Sequence, residues 1–215
     1  AKTGNKEAQT ELVVLLKIEE TLLKGISVRA LDFSEKELEF VQSLQFITAK
    51  PVLYVCNVDE NSAVSGNQYV EKIREAVKDE NAEVIVLAVG TEADITELDD
   101  FEERQLFLED IGLEEAGVSR LVRSAYKLLN LQTYFTAGEK EVRAWTISIG
   151  STAPQAAGVI HTDFEKGFIR AETIAYDDYV AFGSETKVKE AGKMRVEGKD
   201  YIVKDGDVMH FRFNV

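Results

Sequence analysis

The chain has 215 residues, 45% of them hydrophobic and 30% charged, enough for one sizeable core or two small ones. Its net charge of −14 repels phosphate backbones, so any nucleic-acid contact needs a locally basic face. No run approaches the roughly 18 apolar residues of a bilayer span, no basic stretch precedes an apolar one, and Cys56 is the sole cysteine, so the composition points to a soluble, cytoplasmic chain with no internal disulfide and no membrane partner.

Residues 5–24, "NKEAQTELVVLLKIEETLLK", place Leu12, Leu15, Leu16, Leu22 and Leu23 near one face of a helix, with Lys and Glu on the other. Gly25 is its stop. The stripe has no obvious partner, which suggests half of a helical hairpin. In "SEKE", Ser34 and Glu37 have capping-box spacing and open a second helix that turns Leu38, Val41 and Leu44 inward.

Pro51 leads into "VLYVC", a continuous apolar run suited to a strand buried on both faces. "NQYVEKIREAVKDE" then places Val70, Ile73 and Val77 at helical spacing, and "EVIVLAV" reads as a second buried strand. Strand, helix and strand make a βαβ unit with parallel strands and a right-handed crossover. Such sheets bind ligands beyond the carboxyl ends of their strands, where Asn57 and an Ala88-Val89-Gly90 turn fall. The acidic run from Glu92 to Glu115 reads as a solvated helix face. It carries a helix over 101–109 that Gly112 ends, followed by one over 117–129 packing through Val118, Leu121, Val122, Ala125 and Leu128.

From Leu131 the pattern turns β-rich, with strands over "EVRAWTISIG", "GFIRAETI", "DYVAF" and the final "DYIVKDGDVMHFRFNV", and a short helix after Thr152. The expected organisation is a helical arm over 1–48, an α/β region over 49–130 and a β-rich domain over 131–215. Residues 51–130 carry a charge of −11 and residues 131–215 only −2.

Three features carry chemistry. Asn57-Val58-Asp59-Glu60, after the first strand, is either a nucleotide-base clamp or a polar turn, and these residues alone leave both open. His161 and Asp163 lack a third partner or metal-ligand spacing, so a structural or binding loop is favoured over catalysis. His210 alternates with apolar neighbours as an exposed strand residue, and Trp145 is a core residue or a stacking platform for a base. Lys166, Arg170, Lys187, Lys189, Lys193, Arg195 and Lys199 either share an RNA-facing surface or are scattered solubilising charge.

"LLNLQTYFTAGEKEVRAWTI", "GSTAPQAAGVIHTDFEKGFIRAE" and "EGKDYIVKDGDVMHFRFNV" closely resemble the end of the YchF/Obg-like ATPase family, whose bacterial members are also called EngD. The likeness extends over essentially the whole chain. It implies an α/β plus β-grasp class: a helical arm, the C-terminal half of a P-loop NTPase domain, and a ubiquitin-like TGS domain. "KPVLYVCNVDE" looks like the family's N-x-x-E base motif, associated with ATP preference over GTP. The resemblance therefore favours the clamp and implies base contacts at Asn57, Val58 and Glu60, joined by Ala88 and Val89 on the second loop. A carbonyl and an amide at Val58 would suit adenine's amine and ring nitrogen. Where the superfamily often has Ser-Ala or Cys-Ala, Ala88-Val89-Gly90 offers only backbone amides.

Family members begin with a Gly-Lys-Ser phosphate loop and a magnesium-binding switch, and no G-x-x-x-x-G-K-[ST] occurs here. The resemblance thus implies the C-terminal portion of a ribosome-associated, monomeric NTPase that takes ATP, GTP more weakly, and Mg²⁺ only in the complete protein. No catalytic residue is assigned, and the chain alone is expected to be inactive. The ribosome or RNA is the expected partner, contacted through Lys166, Arg170 and Arg195, or else through Lys2 and Lys6 or the His161 loop. The rival reading is a stand-alone TGS-containing adaptor without NTPase activity.

Overall fold

A computed structural model describes residues 5–80, 82–138 and 141–214. They form two compact units, Ala1–Leu128 and Leu129–Val215.

The first unit opens with α1 (Lys6–Leu23), capped by the Asn5 carboxamide, which accepts the Glu7 and Ala8 amides at 2.9 and 3.4 Å. Gly25, at φ 73°, supplies the left-handed residue that ends it. The helix buries Val14, Ile18 and Thr21, spaced i, i+4, i+7, and not the leucine stripe. Leu12, Leu15, Leu16, Leu22 and Leu23 are 38–82% exposed. This helix has two apolar faces, and the narrower one meets Val28, Val41 and the rings of Phe33, Phe40 and Phe46. In α2 (Glu35–Ser43) the Glu37 carboxylate accepts the Ser34 amide and hydroxyl at 2.8 and 2.7 Å, the expected reciprocal cap. Only Val41 is buried there, while Leu38 and Leu44 stay exposed.

Arg29 ties this helical segment to the α/β region. Its guanidinium donates to the carbonyls of Thr48 and Lys50 at 3.1 and 3.2 Å and to the Glu80 carboxylate at 3.1 Å, which also accepts the Tyr54 hydroxyl. The α/β region pairs β1 (Leu53–Asn57) with β2 (Glu83–Leu87) in parallel, Leu53 opposite Glu83 and Asn57 opposite Leu87. Between them runs α3 (Gln68–Val77), capped by Asn67 and buried through Val70 and Val77. Ile85, Val86 and Leu87 are buried, but Val55 of β1 is 46% exposed. The first strand is therefore not covered on both faces. Three helices follow: α4 (Val89–Glu97), α5 (Phe101–Asp110) and α6 (Gly117–Leu128). The first of these stands where the sequence suggested a turn. In α6, Val118 and Val122 point outward, 60% and 52% exposed, contrary to their expected packing role.

The second unit is a five-stranded sheet made of β3 (Leu131–Ala137), β4 (Val142–Ser148), β5 (Phe168–Ile174), β6 (Arg195–Glu197) and β7 (Val208–Phe213). Their order is β4-β3-β7-β5-β6, with β3 and β7 parallel and every other pair antiparallel. Helix α7 (Ala153–Ile160) lies on one face through Ala153, Ala156 and Ala157, whose small side chains admit Tyr134, Ile147, Phe168, Met209 and Phe211. Tyr134 donates its hydroxyl to the Ala156 carbonyl at 2.9 Å and meets Phe211 edge-on. The short α8 (Thr162–Lys166) follows α7. The segment "DYVAF" lies in a helix, α9 (Tyr176–Phe182), not a strand. Tyr179 and Phe182 at i, i+3 join a second cluster with Ile174, Val208 and Val188 of α10 (Glu185–Glu190). Val208 and Met209 are successive strand residues, so the two clusters lie on opposite sheet faces.

Candidate functional site

The carboxyl ends of β1 and β2 meet at one point. The Val58 amide donates to the Leu87 carbonyl at 2.9 Å, extending the parallel ladder by one rung. One residue earlier, the Asn57 carboxamide accepts the Val89 amide at 3.1 Å. Ala88 holds the cap position of α4 without a side chain able to cap it, and Asn57 supplies that acceptor from another strand. Ala88 is buried and Val89 half exposed. Ala88-Val89-Gly90 is thus the start of a helix whose first amide is already held.

Beyond Val58, the Asp59 carboxylate accepts the Ser62 amide and hydroxyl at 3.1 and 3.0 Å, capping a 3₁₀ turn over Glu60–Ser62. Glu60 is exposed at the head of that turn. These four residues divide their work: Asn57 latches the neighbouring helix, Asp59 shapes the turn, and Glu60 stands at the rim. Val58, expected to offer adenine both its carbonyl and its amide, has its amide engaged inside the sheet by the Leu87 carbonyl.

On the far side of α4, the Glu92 carboxylate accepts the Gly117 amide at 2.7 Å, joining α4 to the start of α6.

In the second unit, His161 accepts the Asp163 amide on Nδ1 at 3.1 Å and caps α8. That is a structural task. Trp145 is half-buried, its indole N–H donates to Thr136 at 2.9 Å, and the Arg143 guanidinium lies 4.1 Å from its ring centre. One ring face is therefore occupied.

The basic residues separate in the same way. Lys166 is exposed at the end of α8, and Arg170 stands on β5 with its side chain 52% exposed. Arg195 does not share their freedom. It donates to the Asp207 carboxylate and the Tyr201 hydroxyl, both at 3.1 Å, and lies 3.7 Å from Glu197. Asp207 is 2% exposed and also accepts the Tyr201 hydroxyl at 2.7 Å and the Lys204 amide at 2.9 Å. Burial, and then the bond to Asp207, push the Tyr201 hydroxyl up to about 12. Arg195, expected to face a partner, gives its charge to a buried carboxylate while its side chain stays 38% exposed.

Arg212, absent from the expected basic set, and His210, expected only as an exposed strand residue, stand beside Arg170. Strand pairing sets Arg170 opposite Arg212 and Glu172 opposite His210. Glu172 accepts from Arg212 at 3.0 and 3.4 Å and lies 4.0 Å from Arg170. The Arg212 bond, with the His210 and Arg170 charges behind it, holds its carboxyl below the usual range. Two arginines directly opposite each other weaken a sheet, and one carboxylate between them leaves the cluster positive. The alternation of Arg170 with Glu172 and of His210 with Arg212 was the available signal. Lys2 lies outside the described residues. No group of three or more His, Cys, Asp or Glu among the described residues could hold a metal ion.

Residues 131–214 match YchF-GTPase_C, described as a protein of unknown function (DUF933). Over 215 residues the chain is 55% identical to the ribosome-binding ATPase YchF of Haemophilus influenzae, and over 217 residues 51% identical to that of Bacillus subtilis. Each alignment takes in all of this chain and 59% of the relative, so the chain spans well under two thirds of their length. The YchF GTPase of Schizosaccharomyces pombe superposes with a TM-score of 0.83 at 34% identity, over 96% of this chain and 55% of that one. A GTP binding protein from Pyrococcus horikoshii OT3 shares the fold at a TM-score of 0.55 and 17% identity, over 85% and 51% of the two chains.

Proposed function

Because the chain belongs to the YchF family and matches its C-terminal part, we propose that it supplies the base-binding half of a nucleotide site in a ribosome-associated ATPase, joined to a ribosome-contacting TGS domain. The observation that carries this reading is the bond from the Val89 amide to Asn57, which locks two strand ends into one rim. Ligands of parallel sheets bind at such ends.

The preference for ATP follows from what the rim lacks. A guanine-reading loop uses an Asp for the ring N–H and the amine, with a Lys covering the base. Here Glu60 and Val58 stand in those places. The Val58 carbonyl can accept from adenine's amine, whereas guanine presents an acceptor there. Phosphate and Mg²⁺ chemistry falls to the rest of the complete protein, since no G-x-x-x-x-G-K-[ST] phosphate loop occurs in this sequence.

The strand order of the second unit, with its first and last strands parallel at the centre, supports the ubiquitin-like β-grasp reading of a TGS domain. Its ribosome contact runs through Arg170, Arg212 and His210, with Lys166 nearby in sequence and Arg195 withdrawn from the set. The reading implies a cytoplasmic protein that works as a monomer. The adaptor alternative shares this contact and differs only in dispensing with the nucleotide.

The test is a specificity swap in the complete protein. Val58→Lys with Glu60→Asp should shift the ATP/GTP dissociation ratio toward GTP by ~10-fold, the worth of one charge-assisted bond at about 1–3 kcal/mol. An unchanged ratio in a folded double variant counts against the clamp.

A further inference from the structure

The rim at Ala88 and Val89 needs something to hold its position, and the bond from Asn57 fixes it from one side only. The other side is Glu92, which lies in the first turn of α4. Its amide donates to the Ala88 carbonyl at 2.9 Å, and its carboxylate accepts the Gly117 amide at 2.7 Å. Gly117 is buried at the first position of α6. A Cβ built there would stand 2.5 Å from the Glu92 Oε1 and 2.5 Å from the Leu87 Cδ2. Leu87 is the last residue of β2, and its carbonyl is the one that holds Val58. A single glycine is therefore seated against both the strand end and the helix that form the rim.

We propose that Glu92 and Gly117 form a positioning latch that sets where Ala88 and Val89 meet the nucleotide base. The inference rests on the base-binding reading given above. The carboxylate lies at the N-terminal ends of both α4 and α6, where the helix dipoles favour a negative charge. It thereby pulls the first turn of α4 against the start of α6. A side chain at position 117 would displace the Glu92 carboxylate and the Leu87 methyl from where they now stand. Neither residue touches the base. They act by keeping the contacting atoms within the narrow tolerance that recognition requires.

The experiment measures dissociation constants of the complete protein for ATP and for inorganic tripolyphosphate, which carries no base. Glu92→Ala and Gly117→Ala should each weaken ATP by ~10-fold while tripolyphosphate changes by less than ~2-fold, the loss of roughly one hydrogen bond to the base. Glu92→Gln keeps an acceptor oxygen and should stay within ~3-fold of the parent for ATP. Asn57→Ala runs in parallel. If Asn57→Ala weakens ATP and the latch variants do not, the latch is wrong and the base reading stands. If Asn57→Ala also leaves ATP binding intact, the base reading itself fails. A parallel loss of ATP and tripolyphosphate would mean a general loss of structure and overturns the proposal. Should Glu92→Ala not fold, Gly117→Ala decides by the same comparison; if neither folds, the contact is purely structural and the proposal falls.

Discussion

The two units bury equal amounts of apolar sequence and expose very different amounts. Among the described residues, thirteen hydrophobic side chains are buried in the 128-residue first unit and thirteen in the 87-residue second. Large hydrophobics left exposed number nineteen in the first and nine in the second. In the second unit, five strands and a run of alanines on α7 consume the apolar pattern. In the first, a leucine face of α1, Val55 of β1 and two valines of α6 remain uncovered. Contiguous apolar surface on a folded protein marks an interface. One unit closes on itself, and the other leaves more of its apolar side chains uncovered.

The sharpest way to break this comparison is to cut into both surfaces. Phe211→Ala should destabilise the second unit by about 3–5 kcal/mol, the usual cost of emptying a core aromatic site. Leu16→Ala, on the exposed stripe, should change stability by no more than ~0.5 kcal/mol. Denaturant unfolding followed by circular dichroism reads both. A Leu16 cost equal to that of Phe211 would mean that the stripe is packed after all.

A smaller effect comes from the polar cluster of the second unit. Asp207→Asn leaves Arg195 without its buried counter-charge and should cost about 1–3 kcal/mol, discounted because the arginine is partly exposed. The same cluster shapes the alkaline limb. Below pH ~10 Tyr201 is protonated in both the folded and unfolded chains. Between that value and about 12 the folded unit keeps a proton that the unfolded chain has lost, so stability falls as pH rises. Tyr201→Phe should flatten this decline, leaving the part due to Tyr134, which burial raises in the same direction. Melts in urea at pH 9, 10, 11 and 12 would reveal it, and an identical slope in the variant would refute it.

The smallest stability effect belongs to the sheet face. Arg170→Ala with Arg212→Ala should leave unfolding within about 0.5 kcal/mol of the parent. Ribosome co-sedimentation should weaken, and its salt slope should drop by about two. Sedimentation equal to the parent at every salt concentration would move the contact elsewhere.

What could be read from the sequence depended on whether the signal was local. The paired strands were legible because each is a short apolar run bounded by breakers, and the Ser34 cap because its partner lies three residues away. Helix α4 was not, since its cap acceptor, Asn57, stands 32 positions upstream. "DYVAF" was misread because its aromatic and β-branched residues favour strands, whereas packing of Tyr179 and Phe182 decided for a helix. On α1, leucine count pointed to the wrong face, and Val14, Ile18 and Thr21 won because Val28 and Val41 meet them. The polar turn from Asn57 to Glu60 at the end of the first strand was visible. The commitment of the Val58 amide to Leu87 was not, because a ladder bond between distant strands leaves no mark on either one. Arg195 looked like its basic neighbours until Asp207 and Tyr201 were seen around it.

The parallel pairing of β3 with β7 also bears on how the second unit is made. Strand β7 is third of five in space and last of the five in chain order. A polypeptide growing from its N-terminus first holds the β3–β4 hairpin, then β5 and β6, with nothing to join them. Over 70 residues separate Phe135 from its partner Val208, so the loop-closure entropy falls due in one late step. Until residues 208–213 leave the exit tunnel, Phe168, Ala171 and Tyr134 lack the strand that buries them. The sheet must therefore close around its newest strand, and a nascent chain stalled before Val208 would display two open edges instead of one core.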